Sequence, residues 1–368
     1  MLSGIISFLE TPSNTTSNGY IPFHILNILY LFVLISLYDP LYPPITVLLP
    51  TIIMGGPYAP VTAQLGGRPT KNVDVPICSV FLAAFLGFGI CHMVLFRRNL
   101  ARGHKFIPSA VTFGFCMSRV VANVMRIVWA CYPNNISVAI AAQIFVAAGV
   151  LLLFILNLLF AQRMMRAAFP AFGWSRPVSW AFKILYVLVV ISIVMLITVV
   201  VQSMYTLNAN THRIDRDIQL YGLTYFAIIS FLPLPIVTLV LVFAEEKNVA
   251  PFGSGSWRTK GLIIFVAGTL LCLGASFRAG TTWMKPRPIY DPPAYMHKAC
   301  FYVFDFGLDL LVVILFLFAR VDKRFHVPNG SSKVRHYRGD NGSEKAGSVE
   351  QAQKNETERD IESSSSHQ

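Results

Sequence analysis

Asp305 and Asp309 stand in the first half of "KACFYVFDFGLDLLVVILFLFAR", residues 298–320, a run otherwise apolar enough to cross a bilayer. A charge at the centre of a lipid-embedded helix costs about 2.5–3.5 kcal/mol on insertion scales, so such groups face the bundle interior and meet partners there. Four residues apart, the two carboxylates share a helix face. The stretch "FIPSAVTFGFCMSRVVANVMRIVWACY", residues 106–132, offers the complement, because Arg119, Asn123 and Arg126 also share a face. Counted at about 1.5 Å per residue from the helix ends near 131 and 299, Arg126 lies ~8 Å deep and Asp305 ~9 Å, while Arg119 lies ~18 Å and Asp309 ~15 Å. These depths predict two intramembrane ion pairs, Arg126 with Asp305 and Arg119 with Asp309. Such pairs serve as a polar clasp, as a switch that breaks on activation, or as a stage of a cation pathway.

Asn123, Gln143 and Arg278 are the candidates for a polar pocket beside those pairs. Gln143 and Asn157 read first as interhelical hydrogen-bonding groups. Arg278 reads first as a side chain extending to the interface, with pairing to Asp305 as the rival. His92 is expected to be a packing histidine, with proton transfer as the alternative. Ala110, Gly114, Ser118 and Ala122 repeat a small residue every four positions, the pattern that lets helix backbones approach, and they predict that the second helix is central.

Six cysteines (Cys78, Cys91, Cys116, Cys131, Cys272 and Cys300) form no CxxC pair and have no His-rich neighbourhood, so no metal site is expected. Cys131 with Cys300 is the candidate disulfide, against the reading that both are free thiols. HExxH, GxSxG and Walker-type patterns are missing, so neither enzymatic activity nor a cofactor is expected. The glycines of "FGSGSW", residues 252–257, lack the rest of a dinucleotide fingerprint and read as a loop.

These residues are positioned by an all-α polytopic membrane bundle. The 368-residue chain is 54% hydrophobic and 13% charged, where soluble domains carry roughly 25% charged residues. With about 20 apolar residues per crossing, seven spans are expected at about 75–96, 106–131, 138–161, 178–206, 218–243, 261–281 and 299–319. They must be helices, because lipid satisfies no backbone polar group. Pro233 and Pro235 should kink the fifth.

The net charge of +12 does not imply nucleic acid as a partner, because the cations fall in short clusters between apolar runs. Loops 97–105, 162–177, 244–260 and 320–338 hold 16 Lys and Arg, against 7 in 56–74, 132–137, 207–217 and 282–298. The richer set is expected in the cytoplasm, with the C-terminus. The five tryptophans fit the same frame, Trp129 and Trp283 at the outer boundary, Trp174, Trp180 and Trp257 at the inner one.

Three regions follow. Residues 1–74 are an N-terminal apolar and outer-facing segment whose topology stays open between an extra span, a re-entrant hairpin and an interfacial helix. Residues 75–320 are the seven-helix domain. Residues 321–368 form a cytoplasmic tail, largely disordered by composition, with Ser363–Ser366 as candidate phosphorylation sites.

The stretches "RGHKF" (102–106), "GFCMSR" (114–119), "IAAQIFVAAG" (140–149), "LGASFRAG" (273–280) and "RVDKRFHVPNG" (320–330) resemble a fungal family of multi-spanning membrane proteins known only as a domain of unknown function. The likeness runs over about residues 65–331 and implies a fungal integral membrane protein. It carries over no site residue. Seven unrepeated helices, an outer loop at 282–298 and a polar inner tail favour a receptor-like sensor, partnered by the lipid bilayer and by a cytoplasmic protein at the basic loops and tail. The alternatives are a transporter or translocator of a lipid-like or cationic solute, and a purely structural membrane protein. The plasma membrane and the secretory-pathway membranes are equally compatible.

Overall fold

A computed structural model describes residues 57–60, 62–245, 249–327 and 337. The expectations for the extreme N-terminal segment and for most of the tail, the serine cluster included, lie outside the described residues. Among the described residues, seven helices are long and apolar enough to cross a membrane: α1 Lys71–Ala101, α2 Ile107–Cys131, α3 Ile136–Ala168, α4 Arg176–Tyr205, α5 Ala209–Phe243, α6 Trp257–Trp283 and α7 Lys298–Phe318. Among the described residues there is no strand, only one isolated antiparallel bridge between Thr62 and Pro288.

Most helices run beyond their apolar cores, because local capping chemistry extends them. Asn135, Asn208 and Ser256 accept backbone N–H groups at the starts of α3, α5 and α6, which satisfies donors that a helix start leaves orphaned. Pro108 and Pro177 stand in the first turns of α2 and α4, where a missing N–H costs nothing. Within α5 the regular helix divides into Ala209–Phe231 and Pro233–Phe243, joined at Leu232. The division falls where Pro233 cannot donate to the preceding turn.

Helix α7 departs most from regularity. After a first turn at Lys298–Phe301, residues Tyr302–Gly307 form a π-helix, and α-geometry resumes at Leu308–Phe318. A π-turn takes an extra residue per turn and so changes the azimuth of everything before it. Asp305 lies inside this turn and Asp309 just after it.

α3 rather than α2 is the interior helix: 71% of its most apolar stretch is buried, against 50% in α2. It contacts α2, α4, α5 and α6. The small-residue stripe of α2 instead faces a crowded neighbour, since a Cβ on Gly149 of α3 would stand 2.7 Å from the Ser118 hydroxyl. α1 packs chiefly on α2, and α7 packs between α1 and α6. Phe277 of α6 stacks on Phe304 of α7 with ring centroids 3.9 Å apart.

Two loops meet at the end of the bundle opposite the basic clusters. Ala63 N–H donates to the Arg287 carbonyl and Gly66 N–H to the Met296 carbonyl. At the basic end, the segment after α7 is folded back on the bundle. Asp322 accepts from Asn99 of α1 and from Arg320, the Phe325 carbonyl accepts from Arg163 of α3 at 2.6 Å, and Ser254 N–H donates to the Lys323 carbonyl. Burial pushes the Asp322 carboxyl up, but the Arg320 and Asn99 hydrogen bonds together outweigh it and hold the group below the usual carboxylate range.

The α6–α7 approach depends on Gly274, where a Cβ would lie 2.9 Å from the Phe304 carbonyl oxygen of the π-turn. Gly280, on the same helix, faces open space. Gly274→Ala should lower stability by about 1–3 kcal/mol through overpacking, read as a drop in the melting temperature of the detergent-solubilised protein. Gly280→Ala should leave it unchanged or slightly raised, and equal melting temperatures for the two variants would contradict the close packing of α6 on α7.

Candidate functional site

Four basic and three acidic side chains meet inside the helix ends, arranged in two layers. The deeper layer centres on Arg119, which is fully buried. Its guanidinium donates to Asp309 Oδ2 of α7 at 2.5 Å and to the Val146 carbonyl of α3 at 2.9 Å. It also stands 5.3 Å from the ring centres of both Phe115 and Phe306. Aromatic faces and a carboxylate thus replace the water that a guanidinium would otherwise bind.

Gly149 of α3 borders this layer: a Cβ there would meet the Arg119 guanidinium carbon at an ordinary contact distance of 3.6 Å and would crowd only the Ser118 hydroxyl, at 2.7 Å. Asn123 donates to the Arg119 carbonyl of its own helix at 2.8 Å.

Arg126 governs the outer layer. It donates to Asp74 Oδ1 of α1 at 2.9 and 3.1 Å, to the Tyr302 hydroxyl at 3.2 Å and to the Gly66 carbonyl at 2.9 Å, and lies 4.1 Å above the Phe301 ring. Asp74 is itself fully buried and satisfied from every side. It accepts from Thr70 N–H at 2.7 Å, Tyr302 O–H at 2.7 Å and Lys298 Nζ at 2.5 Å. The start of α1, the end of α2, the start of α7 and the loop at Gly66 are thereby tied to one carboxylate. Gly66 has φ +77°, and a side chain there would meet the Phe301 ring at 2.6 Å, so its carbonyl reaches Arg126 through a conformation glycine adopts freely.

Asp305 is held differently. Its Oδ1 stands 3.2 Å from Arg278 Nη1 of α6, yet this buried oxygen receives no hydrogen bond among the described residues. Other charges facing it are Arg119, Asp309 and Arg126. It is the least satisfied of the three acids.

The structure therefore joins Arg119 to Asp309 and does not join Arg126 to Asp305. Arg126 takes Asp74, and Asp305 takes Arg278, which is a counter-ion and not a snorkelling side chain. Depth along a helix assigns a residue to a layer, but the supplier of its partner within that layer depends on azimuth, and the π-turn sets that of Asp305. An apolar-span reading misses Asp74, which falls one residue before the expected start of α1, and with it the roles of Lys298 and Tyr302 as its donors. A signal was present: an acid in the first turn of a helix, favoured by the macrodipole, only about 5 Å from its end.

Asn123, Gln143 and Arg278 do not gather into one pocket. They engage the Arg119 carbonyl, Gln64 Oε1 and Asp305 respectively. Cys131 and Cys300 are free thiols and form no disulfide. His92 meets the Val313 carbonyl at 3.3 Å and Asn157 the Ile264 carbonyl at 3.5 Å, each between helices. No group of three or more metal-ligating side chains occurs among the described residues. Surface depressions beside Cys131 and Tyr132, and between Tyr221 and Trp283, touch none of the ion pairs.

Residues 255–326 match the family described as "Protein of unknown function (DUF3112)". That stretch contains α6, α7, Arg278, Asp305, Asp309 and the turn after α7, while the arginines of α2 lie outside it. The match is shorter than the resemblance over 65–331. Comparison with curated proteins and with solved structures finds no match. The chain is an integral membrane protein, with seven helices among the described residues long and apolar enough to span a bilayer, and it is similar to this family over residues 255–326.

Because removal of one partner leaves an isolated buried charge, Asp74→Asn should destabilise by about 3–5 kcal/mol. A double-mutant cycle on unfolding free energies should give Arg126→Gln strong coupling to Asp74→Asn and weak coupling to Asp305→Asn. The reverse order would return Arg126 to Asp305.

Proposed function

We propose that this protein is a non-enzymatic, receptor-like sensor whose moving part is the first half of α7. One observation carries the reading: the π-turn at Tyr302–Gly307 lies between the outer Asp74–Arg126–Lys298 cluster and the deeper Arg119–Asp309 pair, and it bears the loosely held Asp305. π-turns recur at functional positions because an exchange with α-geometry rotates side chains without unfolding the helix. A ligand or surface that shifts the loops at 57–70 and 284–297 acts on Lys298 and Tyr302, and through them on the azimuth of Asp305. The change passes along α7 to the turn at Val321–Arg324, which is fixed to α1 by Asp322 and to α3 by the Phe325 carbonyl.

In this reading the basic end and the C-terminus face the cytoplasm, by the excess of Lys and Arg there. A cytoplasmic protein then reads the basic loops and tail. Membership of a fungal lineage is part of the proposal and rests on the motif resemblance. The second reading, transport of a cationic or lipid-like solute, is favoured by one detail, the buried Asp305 oxygen that faces Arg278 without receiving a hydrogen bond, since intramembrane acids mark ion pathways.

Reconstituted vesicles separate the two. For a sensor, a panel of cations and labelled lipids should not move faster than in empty vesicles, and Asp305→Asn should change hydrogen exchange at residues 320–327 while the bundle stays folded. Solute flux that Asp305→Asn abolishes, with exchange at 320–327 unaltered, would replace the sensor by the transporter.

A further inference from the structure

Two cationic stretches far apart in the sequence, "RRNLARGHK" (97–105) and "RVDKRFH" (320–326), are folded into one corner of the basic end. Asn99 Nδ2 donates to Asp322 Oδ2 at 3.1 Å, and the His104 and His326 rings stand 4.6 Å apart, edge to face. Arg102 is one turn beyond Asn99 and Lys323 follows Asp322, so these contacts place both cations in the same corner. Arg98, Arg102, Lys105 and Lys323 are exposed. None of the four pairs with a carboxylate among the described residues.

The acid of the corner is not available to them. Asp322 is buried, and both of its oxygens are taken, by Arg320 and Asn99. His326 Nε2 is buried beside the cluster with no hydrogen-bond partner. Burial, then the neighbouring His104 and Arg163, push the His326 imidazole down, which keeps it neutral and able to donate one hydrogen bond at neutral pH. The exposed cations thus share this corner with no free carboxylate among the described residues to neutralise them.

The level of the corner says what kind of anion it meets. Arg98 and Arg102 end a span whose exposed apolar side chains continue to Val94 and Leu100, so the guanidinium groups stand at the depth of lipid phosphates when those residues lie in acyl chains. Arginine forks suit phosphate oxygens in two-point contacts, and lysines add point charge. We propose that the corner formed by residues 98–105 and 320–326 binds a phosphomonoester, of the kind carried by anionic lipid headgroups and by soluble inositol phosphates. The site is separate from the buried ion pairs and does not depend on the sensor reading.

The full chain in neutral detergent, titrated calorimetrically with short-chain phosphatidylinositol 4-phosphate, should bind saturably, and short-chain phosphatidylcholine should not. Arg102→Gln with Lys105→Gln should weaken binding about thirtyfold, the effect of two surface cations. The charge-preserving exchange Arg102→Lys with Lys105→Arg should stay close to wild type, as should Lys285→Gln with Arg287→Gln at the opposite end. Inositol 1,4-bisphosphate as a second titrant identifies the source: equal affinity assigns a soluble phosphate, and binding of the lipid alone assigns a headgroup, each sustaining the site. The proposal is overturned when neither probe saturates, or when the Lys285 and Arg287 variant loses as much affinity as the corner variant.

Discussion

Pairing the buried aspartates of α1 and α7 with arginines from other helices is the constraint on which this bundle rests. Asp74, Asp305 and Asp309 each meet an arginine borne by a different helix, at 2.9, 3.2 and 2.5 Å. A buried ion pair contributes little net stability over an apolar contact, but losing one member is expensive. The pairs therefore act more as specifications than as glue: they fix which faces of α1, α2, α6 and α7 meet. Two of them enter through α7, the helix that also carries the π-turn and the close backbone approach at Gly274.

The layers differ in how completely the charge is satisfied. Asp74 has donors from Thr70, Arg126, Lys298 and Tyr302, and Arg119 has a carboxylate, a carbonyl and two aromatic faces. Asp305 has one nearby guanidinium and no hydrogen bond to its buried oxygen. Rigid clasps at either side of a loosely held group are the arrangement expected of a two-state element, because only the middle can change at small cost. At the basic end the fold adds another clasp, Asn99–Asp322–Arg320, which draws the 97–105 and 320–326 segments together.

Much of the architecture was legible from apolar run lengths alone, since a span of about 20 residues in lipid has no alternative to helix. Arg119 with Asp309 followed from depth, both being well inside their helices. Depth alone assigns Arg126 to the wrong acid for a definite reason: Asp305 matches its depth, but the true partner sits in the first turn of α1, where an aspartate looks like a loop residue. Arg278 looked interfacial by its distance from the helix end, though α7 presents a carboxylate to it. What could not be read was azimuth. A π-turn has no reliable local signature in "YVFDFG", and it decides which helix each aspartate of α7 faces. The interior position of α3 is hidden for a related reason, as the stretch between Gln143 and Asn157 is uniformly apolar and shows no polar side to orient it, whereas the small residues of α2 suggest a central place they do not hold.

Charge exchange across the deepest pair tests the account most directly. Arg119→Asp and Asp309→Arg, made singly, should each abolish recovery of folded, monodisperse protein from membranes, and the two together should restore a substantial part of it, because the exchanged charges still neutralise one another between α2 and α7. A double variant as defective as either single one would show that this pair does not hold the bundle together.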